Sequence, residues 1–237
     1  TILGSEKPSS GEALMDGELI EKPDRSKGIV FQKYSLFEHK TVIDNVIFGL
    51  VCSKFGFISS IYHRIAKSKE IKALVEEGEH YLERVGLLDS AYKFPFELSG
   101  GMKQRIAIAQ AMIMKPKILL MDEPFGALDV GTREQMQMFL LEQWEETNQT
   151  ILFITHDLDE SLFLSNRLLV LSQYYENAKG SKFVKDIPVN YDLSRSSDIR
   201  NSKEFKDLLF EIRHEGLNPE YLQKIQAFDL KHSDAIG

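Results

Sequence analysis

The sequence predicts an α/β protein: a parallel sheet flanked by helices, with an inserted helical subdomain. Three observations carry that expectation. From Lys117 onward, apolar runs of strand length alternate with segments of helical period. The runs KILLMD (117–122), TILFIT (150–155) and RLLVLS (167–172) are apolar at successive positions, as strands covered on both faces of a parallel sheet are. The first run ends on two adjacent carboxylates, Asp122 and Glu123, and is stopped by Pro124.

Composition narrows the function classes. A chain of 237 residues, 43% hydrophobic and 27% charged, can bury one substantial core with a small appendage. A formal charge of −7 argues against a protein that grips nucleic acid, which needs a net positive face to release counterions. The single cysteine, Cys52, can form neither an internal disulfide nor a cysteine metal set, and reads as a small core residue in a reducing compartment. No apolar window is long enough to span a bilayer, and no basic-then-apolar leader opens the chain.

Taken in order, KGIVFQ (27–32) is the first strand candidate. Ile71, Leu74, Val75, Leu82 and Val85 then recur at helical spacing, with His63, Arg64, Lys67, Lys69 and Lys72 crowded before and among them. This is the inserted helical subdomain, spanning about residues 50–114; its basic run reads as a solvated helix face or as a patch for anionic lipid heads or a partner protein. LSGGMKQR (98–105) opens a further helix carrying Met102, Ile106, Ala109 and Ile113, which ends before Lys115-Pro116. Between the later strands lie a helix over 132–147, with Met136, Phe139, Leu140 and Trp144 on one face, and a short helix over 157–164. After Ser172 the sheet pattern gives way to polar sequence and two short helices, one striped by Phe205, Leu208, Leu209 and Ile212, the other opening at Asn218-Pro219. The expected domains are therefore 1–172 and a mostly helical tail, 173–237.

Two constellations carry chemistry. A carboxylate pair at the end of a buried strand suits Mg²⁺ and an attacking water. A serine followed by two glycines at a helix start offers a hydroxyl, unhindered N–H groups and the positive end of a helix dipole, which together make an anion site.

LSGGMKQR, ILLMDEP (118–124), GALD (126–129) and ITHD (154–157) resemble, in order and spacing, the ATP-binding subunits of ABC transporters. VFQKYSLF resembles the family's Q-loop, and the likeness runs from Thr1 to about Ser172, with TILFITHDLDESLFLSNRLLVLS and the tail most like importers of the nitrate, sulfonate and taurine group. The resemblance implies a P-loop NTPase-like fold with ATP and Mg²⁺ as cofactors. Asp122 would hold the metal, Glu123 would polarise the attacking water, Gln32 would reach metal or water, and His156 would touch the γ-phosphate. Ser99, Gly100 and Gly101 would close on ATP held by a second subunit packed head to tail, and Asp129 would sit at that interface. The implied partners are an integral-membrane permease, a second copy of the subunit and, indirectly, a solute-binding protein, at the cytoplasmic face of the inner membrane. Nucleic acid is not among them.

One element of the family is missing from these residues. The phosphate loop needs G-x-x-x-x-G-K-[ST], and no glycine here is followed by lysine. Thr1–Gly11 resembles the end of the helix after that loop, so the expectation is a subunit truncated before its first strands and phosphate loop, and inactive by itself. The alternative is a non-hydrolysing ABC-like regulatory or binding module.

Overall fold

The computed structural model describes residues 1–56, 69–171, 183–189 and 197–216. They fall into two compact units, Thr1–Ile154 and Thr155–Gly237.

The first unit opens with a small antiparallel hairpin, β1 (Leu14–Met15) and β2 (Glu18–Leu19), turned by Asp16 and Gly17 at φ 54° and 81°. Asp-Gly is the dipeptide that tolerates two successive left-handed residues, as this tight turn requires. Three parallel strands follow in the order β3 (Lys27–Val30), β4 (Ile118–Asp122), β5 (Thr150–Ile154). The central strand, β4, buries Leu119 and Met121 completely, in keeping with the apolar run read from the sequence.

Helices cover this sheet and extend from it. α1 (Val42–Phe55) is capped by Thr41, whose hydroxyl oxygen accepts from the Asp44 N–H, and buries Val42, Ile43, Val46 and Ile47. The sequence reading had placed no helix before residue 50. Thr41 and Asp44 in [ST]-x-x-[DE] spacing before an apolar run were the signal for it. Cys52, on this helix, is partly exposed rather than a core residue.

α2 (Lys69–Arg84) packs on α1 through Gly78, and α3 (Gly100–Met112) begins at the serine-glycine segment. α4 (Val130–Thr147) joins β4 to β5 and ends at Asn148 in the left-handed conformation, φ 51°. Arg84, at the end of α2, reaches Glu142 and Glu146 of α4 at 3.1 and 3.3 Å, with its guanidinium 4.9 Å from the Phe139 ring centre. One residue thereby ties the inserted helices to the sheet-flanking helix through charge, hydrogen bonding and ring contact. His63, Arg64 and Lys67 of the basic run lie outside the described residues; Lys72 pairs with Glu76 at 4.0 Å, both exposed, which suits a solvated face.

In the second unit, α5 (Leu158–Leu164) precedes β6 (Arg167–Leu171). β6 does not extend the parallel sheet. It pairs antiparallel with β7 (Phe183–Pro188), and Arg167 donates to both carboxylate oxygens of Asp186 at 2.9 and 2.7 Å. Only Leu168 and Val170 are buried, while Leu169 and Leu171 are exposed, so the apolar run overstated how many faces are covered. A strand also lies beyond Ser172, where the sequence reading had ended the sheet pattern. α6 (Lys203–Glu211), capped by Ser202, buries Phe205 of the expected stripe. The helix expected at Asn218-Pro219 lies outside the described residues.

The α1–α2 contact leaves no room at Gly78, where an added Cβ would stand 2.5 Å from Ile47 Cγ2 and 2.7 Å from Ile43 Cδ1. Gly78→Val is expected to lower unfolding free energy by about 1–3 kcal/mol, measured by urea denaturation, because overpacking outweighs the gain in helix propensity.

Candidate functional site

Strand register builds the site. Val30 lies opposite Met121, and Asp122 opposite Ile154, so the C-terminal ends of all three strands arrive together. Gln32 is two residues beyond Val30 and Glu123 two residues beyond Met121, equal offsets that bring them face to face. Gln32 Nε2 donates to Glu123 Oε2 at 2.9 Å. This is the pair the sequence assigned to water and metal.

Glu123 is held unusually. Its φ is 45°, a left-handed backbone that a non-glycine residue rarely adopts, and its N–H donates to Ile154 O at 2.8 Å. In a continuing strand Asp122 and Glu123 would point to opposite faces. The turn at Glu123, closed by the Gly126 N–H donating to the Glu123 carbonyl at 3.2 Å, ends the strand before that alternation continues. Phe125 fixes the turn from below, buried with its ring centre 5.5 Å from that of Phe153 on β5.

Among the described residues no cluster of three or more His, Cys, Asp or Glu side chains could hold a metal by itself. Mg²⁺ in a nucleotide site takes only one or two protein carboxylates and fills its remaining positions with water and phosphate oxygens. Asp122 is partly buried at the strand end, directly before Glu123, whose carboxylate accepts from Gln32.

The serine-glycine segment is a capped helix start. Ser99 Oγ accepts from the Met102 N–H at 3.3 Å and Ser99 O from the Lys103 N–H at 3.0 Å, which leaves the N–H groups of Gly100 and Gly101 without acceptors inside the helix. The two glycines differ in surroundings. Nothing lies near an added Cβ at Gly100, whereas one at Gly101 would stand 3.4 Å from Ala127 O and Leu128 Cδ2, in the turn that follows Glu123. Gly101 thus permits close packing, and Gly100 leaves the helix end open to a ligand.

Asp129 caps α4, accepting from the Thr132 N–H at 3.0 Å; this bond, with Arg105 adding a smaller charge effect, holds its carboxyl below the usual aspartate range. Arg105 is lowered by burial, partly offset by Asp129, and donates to Val85 O at 2.8 Å. His156 lies two residues past β5, exposed, at the opening of the second unit and just before Asp157, the cap of α5. The structure therefore pairs Gln32 with Glu123, the chain neighbour of Asp122, and sets Gly101 against the turn leading to Asp129, while His156 belongs to the other unit.

Two residues that support the site escaped the sequence reading. Asn45 of α1, fully buried, accepts from the Phe37 N–H at 2.8 Å and donates to the carbonyls of Phe37, Lys40 and Thr41 at 3.2, 3.2 and 3.0 Å. It fastens the loop after Gln32 to α1. Gln104 of α3, 1% exposed, donates to Phe31 O, the carbonyl directly before Gln32. Its sequence signal was a glutamine in line with Ile108 and Met112 on a buried stripe.

Comparison with known proteins accords with this geometry. Parallel strands whose ends gather an acidic pair and an amide beside a glycine-rich helix start define a P-loop NTPase-type α/β fold. The chain belongs to the ABC transporter family, whose model matches residues 1–126. It is 41% identical over 208 residues to a Brucella abortus protein described as ATP-binding, covering 88% of this chain and 73% of that one. It is 40% identical over 171 residues to the nitrate import ATP-binding protein of Synechococcus elongatus, covering 72% of this chain and 58% of the relative. Among solved structures, a dimeric ATP-binding cassette in a post-hydrolysis state with ADP and Pi matches with TM-score 0.62 and 27% identity, over 79% of this chain and 77% of that one.

The Asn45 cluster yields a direct test. Asn45→Leu is expected to cost about 2–4 kcal/mol of stability, since several buried backbone groups lose their partners, and to raise hydrogen exchange at residues 37–41. Unchanged exchange there would mean that the loop is held by other contacts.

Proposed function

We propose that this chain is part of the ATP-hydrolysing subunit of an importer for nitrate, a sulfonate, taurine or a similar small solute, working through a separate membrane permease. Relatives named for nitrate, taurine and aliphatic sulfonate import, at 40%, 46% and 38% identity, support the solute class. The observation that carries the chemistry is the Gln32–Glu123 hydrogen bond beside Asp122 at the meeting strand ends.

In this reading Glu123 accepts the proton of the attacking water, and Gln32 orients that water and fixes the carboxylate's rotamer. Asp122 and Gln32 would hold Mg²⁺, which when bound would supply positive charge toward the phosphate oxygens. Ser99, Gly100 and Gly101 offer a hydroxyl and N–H groups to the γ-phosphate of a nucleotide held by a second subunit, packed head to tail, with Asp129 at the same interface. His156 contacts the γ-phosphate from the end of β5. No helix among the described residues is long and apolar enough to cross a membrane. We place the subunit on the cytoplasmic face of the membrane, held there by the permease.

The 237 residues contain no G-K-[S/T] sequence to cradle a β-phosphate. The isolated chain is therefore expected to show no ATP turnover above a buffer blank and no saturable micromolar ATP binding by calorimetry. Tight binding would point instead to a phosphate site built from other residues.

In a complete subunit assembled with its permease, Glu123→Gln is expected to retain ATP binding and slow hydrolysis by roughly 10²- to 10⁴-fold, the usual worth of a positioned base. Turnover within about twofold of the parent would remove Glu123 from that role.

A further inference from the structure

We propose that Gln104 is the positioning residue through which the serine-glycine helix sets the geometry of the Gln32–Glu123 pair. The proposal rests on the hydrolytic reading of that pair. Four observations carry it.

Gln104 sits on α3 five residues after Ser99, in the same rigid helix as the anion-binding turn. Its side chain is almost entirely buried, and its Nε2 donates to the carbonyl of Phe31 at 3.4 Å. Phe31 is bonded to Gln32, whose own amide donates to Glu123 at 2.9 Å. The amide orientation is fixed by this contact, because turning it over would set oxygen against oxygen.

The fourth observation separates a positioning role from plain packing. Gln104 Oε1 is buried with no hydrogen-bond partner among the described residues. Apolar side chains occupy the same stripe at Ile108 and Met112, and a methionine of similar volume would avoid stranding a buried oxygen. Stability alone therefore favours an apolar residue here. What glutamine adds is an N–H donor at the end of a rigid arm, aimed at the one carbonyl that leads into Gln32. The loop is then pinned at both ends by buried amides, Gln104 at Phe31 and Asn45 at Phe37. A displacement of the α3 N-terminus is passed toward Gln32 through the Gln104–Phe31 hydrogen bond.

The test uses the complete subunit with its permease and two variants, Gln104→Met and Gln104→Asn. Methionine fills the volume without a donor; asparagine keeps the amide but is one methylene too short to reach Phe31. Both are expected to lower kcat about tenfold while leaving KM for ATP within about twofold. In a Gln32→Ala background, either change is expected to lower kcat by less than about twofold further, since the residue it acts through is gone. The Gln32 side-chain amide signals in NMR should shift in both variants, with the amide signals of α2 unchanged. Additive losses in the double variants, an unchanged kcat, or unshifted Gln32 side-chain signals would each overturn the proposal. Should the parent subunit not hydrolyse ATP, the functional reading fails, and the Gln32 side-chain signals still decide whether Gln104 sets the position of Gln32.

Discussion

The parallel register of β3, β4 and β5 is the constraint on which the candidate site depends. Because Val30 lies opposite Met121, the residues two positions further along each chain meet, and they are Gln32 and Glu123. A one-residue slip would reverse the faces of a strand and separate the pair. Register here is enforced by burial: Val30, Leu119 and Met121 are core residues that a slip would turn outward. Hydrophobic burial in the sheet therefore fixes the polar geometry at its end.

Around that end the structure uses strain and buried polar groups, which cost stability wherever they occur. Glu123 adopts a left-handed backbone, Asn45 spends a core position on hydrogen bonds to a loop, and Gln104 buries an oxygen that has no partner among the described residues. These three features converge on the same few residues between β3 and α1 and at the end of β4. Concentration of locally unfavourable choices in one place marks a site under functional constraint. The surrounding fold compensates with well-packed helices and with the Arg84 cluster that joins α2 to α4.

Much of this was legible in the sequence, for definite reasons. Strands β3 to β5 were found because buried parallel strands are continuous apolar runs, and the carboxylate pair stood out because nothing in a core explains it. β6 was misplaced by the same rule: RLLVLS is as apolar as its neighbours, but its alternate leucines face solvent in a two-stranded antiparallel sheet. β7 was missed because Lys185 and Asp186 break its apolar pattern, and its cohesion comes from the Arg167–Asp186 pair across the sheet. Gln32 and Glu123, read from separate motifs, are hydrogen-bonded to each other in the structure, whereas Asn45 and Gln104 were not singled out. Motif reading favours residues that contact ligand, and these two act on backbone carbonyls whose positions only the fold reveals.

The central claim is that the sheet register brings the Gln32 amide to the Glu123 carboxylate. It is tested most directly by following the side-chain amide resonances of Gln32 by NMR through an acid titration. If the account is right, both Nε2 proton signals move as the carboxylate protonates, and that movement disappears in Glu123→Gln while the backbone amides of β3 and β4 keep their shifts. Gln32 side-chain signals that do not respond to pH, or that respond equally when Glu123 is replaced, would contradict it.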